Sequence, residues 1–174
     1  ANIESCDSYG RTPLFNAIEH NKEYIVQLLL HNGANVEARD VYNLTPLLHA
    51  VKYSNSTIRY LLIETCHNMN VSNHRRPWQS FVLQDNVSIV ELLLKNGANA
   101  EVYDHNNITP LFLAIEQGKI EIAKCLIKYG VYVNAQSGNG DSPLTLAIQK
   151  KESELMYLLL QHGALINVNN YHDK

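Results

Sequence analysis

All five prolines of this chain stand on one lattice. Pro13, Pro46, Pro77, Pro110 and Pro143 are separated by 33, 31, 33 and 33 residues. A glycine falls 20 residues after four of them, at Gly33, Gly97, Gly130 and Gly163. An irregular globule has no need of such spacing. A supersecondary unit repeated along the chain does, because each unit presents an apolar face that only its neighbours can cover.

The unit follows from local physics. Asp7, Asp40 and Asp104 open turns, with Asn73 and Ser137 in the equivalent places. Thr12, Thr45, Thr109 and Ser142 precede a proline and are suited to accept a hydrogen bond from the first free N–H groups of a helix. Proline at the first helical position loses no hydrogen bond. A short helix follows, with a small residue facing inward: Ala17, Ala50, Ala114 or Ala147. A longer helix then carries the apolar stripe, as in YIVQLLL and SIVELLL, and ends at the glycine, which can adopt the left-handed backbone that closes a helix. Turn, helix, helix and extended return predict units at 7–39, 40–72, 73–103, 104–136 and 137–169.

The pattern resembles the ankyrin repeat. The matching residues are Thr-Pro at 12–13, 45–46 and 109–110, and the LLxxGA endings at 29–34, 93–98 and 159–164. The resemblance covers essentially the whole chain and implies an all-α solenoid with projecting β-turn fingers, folded as a single domain over 1–174. The histidine usual after TPL is absent. Phe15, Leu48, Phe112 and Thr145 stand there, so the family's histidine bonds between repeats are not carried over. Residues 1–6 and 170–174 align with parts of the repeat, which reads as a piece of a longer array.

Residues 64–85 disobey the pattern. Cys66 and His67 replace the closing Gly-Ala, Arg76 replaces the capping Thr, and Trp78 and Phe81 replace smaller residues. Either these changes refill a shortened turn, or Arg75 and Arg76 beside an aromatic residue form a specialised contact.

The composition narrows the function. A net charge of −3 does not favour nucleic acid as a partner, and no apolar run is long enough for membrane insertion by this segment. Three scattered cysteines suggest neither a disulfide framework nor a zinc site and suit an intracellular, cytoplasmic setting. Five N-x-S/T sequons, at Asn43, Asn55, Asn70, Asn86 and Asn107, read as chance in an asparagine-rich chain. No hydrolase, zinc-protease or P-loop motif occurs, so neither an enzyme nor a cofactor or metal is expected.

The family resemblance implies protein binding on a concave face made by the fingers and first helices. The residues expected there are Tyr9, Arg11, His20, Tyr42, Leu44, Tyr53, His74, Arg75, Arg76, His105 and Ile108. Among them Tyr9, Tyr42, Leu44, Tyr53 and Ile108 are apolar or aromatic for exposed tips and suit a protein interface. The expected molecule is a monomeric interaction module that holds one protein partner. Its wording is similar to arrays of large DNA viruses and intracellular bacteria, which implies a substrate-recognition or host-interaction arm of a larger adaptor. The competing reading is a structural spacer or spring in a long array of a membrane channel or pore-forming toxin.

Overall fold

The computed structural model describes residues 2–53 and 86–166. Eight helices are present among them: α1 (Pro13–Glu19), α2 (Glu23–His31), α3 (Pro46–Tyr53), α4 (Val87–Lys95), α5 (Pro110–Glu116), α6 (Ile120–Lys128), α7 (Pro143–Gln149) and α8 (Ser153–Gln161). The described residues contain no strand. Helices of seven to nine residues are marginal alone, so their stability must come from packing.

The local signals act largely as expected. Proline opens α1, α3, α5 and α7. The Thr109 hydroxyl accepts from the Phe112 N–H at 3.2 Å, and Thr45 accepts from Leu48 at 3.3 Å. Ser142 and Thr145 form a reciprocal capping box. Thr12 corrects the expectation: its hydroxyl is buried without a hydrogen-bond partner, and the first turn of α1 is held instead by its backbone carbonyl, which accepts from Asn16 N–H at 3.4 Å. At the end of α2, Gly33 has φ 82°, and the N–H groups of Gly33 and Ala34 return to the carbonyls of Leu30 and Leu29. That arrangement is a Schellman closure, and Gly97 and Gly163 repeat it, while Gly130, also at positive φ, keeps only the bond from its own N–H to the Ile127 carbonyl.

Each aspartate builds its finger. One oxygen of Asp40 accepts from the N–H groups of Tyr42 (2.9 Å) and Leu44 (2.8 Å), and Asp7 and Asp104 bond residues two and four positions on in the same way. Asn43 and Asn107 hold positive φ, 59° and 58°, where Gly10 and Gly140 stand in the other fingers. Asparagine tolerates that conformation, which accounts for two of the sequons by backbone need. The asparagine of a third, Asn86, is buried.

The helices form two plies. Along the inner ply α1 packs on α3, α3 on α5 and α5 on α7; along the outer ply α2 packs on α4, α4 on α6 and α6 on α8. One continuous apolar core runs between them, including Leu14, Leu47, Ile89, Leu111, Leu126 and Leu155. The described helices therefore make four layers, and α3 and α4 share the second layer. Its inner helix α3 comes from 40–72 and its outer helix α4 from 73–103.

The loops give the same count. Asn35 N–H donates to Glu4, Asn99 to Glu37, Tyr132 to Glu101 and Leu165 to Asn134, at 2.7–2.8 Å. The sequence separations are 31, 62, 31 and 31, so one step of this ladder spans two sequence periods. The second layer is apolar inside: Val90 and Leu93 on α4 and Leu47 and Val51 on α3 are all fully buried, and the two helices are in contact. The irregular features at Cys66, His67, Trp78 and Phe81 lie outside the described residues.

Candidate protein-binding face

The first two fingers and the inner helices below them enclose a cup of about 230 Å³, lined by Tyr9, Arg11, Glu19, Asp40, Tyr42, His49 and Tyr53. The stacking of α1 on α3 creates it, because these residues come from two layers and meet only when the layers do. The fingers are also linked directly, by the Val41 N–H donating to the Tyr9 carbonyl at 3.0 Å.

Arg11 organises one wall. Its Nη2 lies 2.8 Å from Asp7 Oδ2, its Nη1 lies 2.9 Å from Glu19 Oε2, and its guanidinium sits 5.0 Å above the Tyr9 ring. The hydrogen bond to Asp7 raises the Arg11 pKa, and the Arg11 backbone N–H lowers that of Asp7. Tyr9 and Tyr42 stay half exposed, as an exposed rim requires.

His49 forms the floor and is 3% exposed. Its ring meets Phe15 edge-on at 5.3 Å and Tyr53 at 4.5 Å, and its Nδ1 has no hydrogen-bond partner. Burial pushes its pKa down to about 4, so the ring is neutral near pH 7. Burial also raises the Tyr53 phenol.

Four of the expected site residues, Tyr9, Arg11, Tyr42 and Tyr53, converge here. Leu44 does not. It was expected at an exposed tip, yet it is 1% exposed and belongs to the core. After the left-handed Asn43 the chain turns inward, and the Leu44 N–H is drawn to Asp40, which sends the side chain into the apolar seam. Ile108 is likewise half-buried against the core rather than presented as a tip. His105 is exposed on the finger opened by Asp104, and His20 is exposed beyond α1 with its Nδ1 2.9 Å from the Asn16 carbonyl. Neither lines the cup. His74, Arg75 and Arg76 lie outside the described residues.

Sequence reasoning missed Asp40 and His49 as site residues and noted Glu19 only by position. The signal for His49 was present. It occupies a slot that holds Leu113 and Leu146 in two other layers, both buried, although Asn16 in the same slot of the first layer is exposed. Exposed tyrosine alone is a poor guide, since Tyr24, Tyr132 and Tyr157 are more exposed than any ring of the cup.

Among the described residues no cluster of three or more His, Cys, Asp or Glu could hold a metal ion, and no helix is long and apolar enough to cross a membrane. Cys125 is buried, which pushes its thiol up to about 11 and leaves it a poor nucleophile.

Short helix pairs stacked in one direction, with turns projecting over a recessed face, define a solenoid scaffold of the kind that binds through extended surfaces. The sequence identifies which solenoid. Residues 1–74 and 80–170 match the family model for ankyrin repeats (three copies), and the chain belongs to the ankyrin-repeat family, whose repeats mediate protein–protein interaction. Over 55 residues it is 44% identical to ankyrin repeat and SOCS box protein 3 of Homo sapiens. That match covers 30% of this chain and 11% of the relative.

Proposed function

We propose that this chain is a non-catalytic, monomeric interaction module that holds a partner protein on the finger and inner-helix face, as the recognition arm of a larger adaptor. The observation that carries the reading is the convergence of Tyr9, Tyr42 and Tyr53 with charged groups around one recess. Tyrosine offers a large contact area with little rotamer entropy to lose, and a partly apolar, partly charged cup suits a protein side chain. The proposed setting is intracellular, supported by free thiols at both Cys6 and Cys125. A host-interaction role belongs to the same proposal and is supported by the sequence wording alone.

The test is capture of partners from a cell extract by the intact protein, identified by mass spectrometry. Tyr42→Ser with Tyr53→Ser should reduce capture about tenfold or more while secondary structure is kept, as for aromatic anchors at a contact centre. Substitutions on the outer ply, at Gln27 or Glu91, should leave capture unchanged. Equal loss from the two faces would place the interface elsewhere.

A further inference from the structure

We propose that the cup is a subsite for an arginine side chain of the protein partner. The proposal rests on the concave-face reading above and adds the chemistry of what enters.

The first two fingers supply the argument. In the first, Asp7, Tyr9 and Arg11 form a trio: the guanidinium pairs with the carboxylate and lies over the ring. In the second, Asp40 and Tyr42 occupy the same places, but Leu44 stands where the arginine would be, and it turns into the core. Asp40 is only 8% exposed. One of its oxygens accepts from the Tyr42 and Leu44 N–H groups, while the other takes no hydrogen bond or ion pair from the described residues.

Among the described residues, the cations around the cup are engaged with other groups. Arg11 bonds Asp7 and Glu19, Arg39 donates to the carbonyl and side chain of Asn43, and Lys52 stands 5.8 Å above the Tyr53 ring. A carboxylate held this far from water without a counter-cation is costly, and a ligand that supplies one gains correspondingly.

The floor makes a second, independent demand. His49 Nδ1 is enclosed and has no partner, so with the proton on Nε2 it is an acceptor waiting for a donor. A guanidinium answers the Asp40 carboxylate and brings donors to the His49 floor of the cup. It carries five N–H donors in a flat fork, is weakly hydrated, and stacks on aromatic rings such as Tyr42. An ammonium is a strongly hydrated point charge and has no face to stack. The partner's arginine thus completes in the second finger the trio that the first finger completes within the chain.

The experiment titrates the intact chain with Nα-acetyl-arginine amide and follows the backbone amides of Tyr42 and Leu44 and the His49 ring by NMR. Saturable shifts confined to these groups are expected, in the millimolar range for a single side chain. Nα-acetyl-lysine amide should bind several-fold more weakly. Asp40→Asn keeps an acceptor for the finger's N–H groups and should weaken the arginine probe about tenfold. His49→Leu should weaken it by a smaller factor. No saturable shift at these groups, an undiminished response in Asp40→Asn, or lysine binding as tightly as arginine would each overturn the subsite. The wider reading fails separately: if Tyr42→Ser with Tyr53→Ser leaves protein capture intact, the concave face is not the interface.

Discussion

Replacing Lys119 with Met tests the order in which the layers stack. Lys119 lies just before α6, in the period 104–136, and is 7% exposed. Its ammonium donates to the carbonyls of Val51 and Lys52 in the last turn of α3, 68 and 67 residues away. Those carbonyls close an inner helix of the period 40–72, so the contact exists only if the second and third layers are α3/α4 and α5/α6. A charge-assisted hydrogen bond contributes roughly 1.5–3 kcal/mol, and a cation at a partly buried helix C-terminus up to about 2 kcal/mol. Burying the ammonium offsets part of this. Met keeps the length of the apolar stem but removes the charged donor shared by the two carbonyls, so the net loss should be about 2 kcal/mol. Urea unfolding followed by far-UV circular dichroism, at pH 7 with unchanged m-value, measures it. Lys124→Met is the control, since Lys124 pairs with Glu121 and Glu154 at the surface and should change stability little. If Lys119→Met were no worse than that control, the proposed contact between α3 and the start of α6 would be wrong.

Two further predictions concern buried polar groups. His49 has a folded pKa of about 4 against an ordinary 6.5, so below pH 6.5 the unfolded chain takes up the proton that the folded chain resists. Its contribution is therefore complete above that value and is lost as pH falls toward 4, by up to about 3 kcal/mol at 1.36 kcal/mol per pH unit. His49→Leu should flatten the stability–pH profile in that window, and an unchanged slope would refute the assignment. The two cap threonines should respond in opposite ways to valine. Thr109→Val loses a side-chain cap, a cost of about 1 kcal/mol. Thr12→Val removes a buried hydroxyl that has no partner and should be neutral or stabilising by up to about 1 kcal/mol. Thermal melts of the two variants distinguish them.

The fold class was legible because its determinants are local. Proline at a helix start, glycine at a helix end and aspartate in a turn act within four or five residues, and each recurs at the spacing read from the chain. Tyr9 and Tyr42 could be placed on fingers for the same reason. Leu44 could not, because its direction depends on the left-handed turn at Asn43 and on the depth of the neighbouring core.

By itself the sequence determined the period, the turn–helix–helix unit and the need for units to share an apolar seam. Which helices share it was a tertiary decision. Similar stripes recur from unit to unit, and local signals do not specify which stripe an inner helix will cover. Packing resolved that choice by placing α4 beside α3 across two periods, with Glu37 reaching Asn99. The cup was decided at the same level. Asp40 and His49 acquire their character from what the adjoining layer excludes, water above all, and that exclusion exists only once the layers meet.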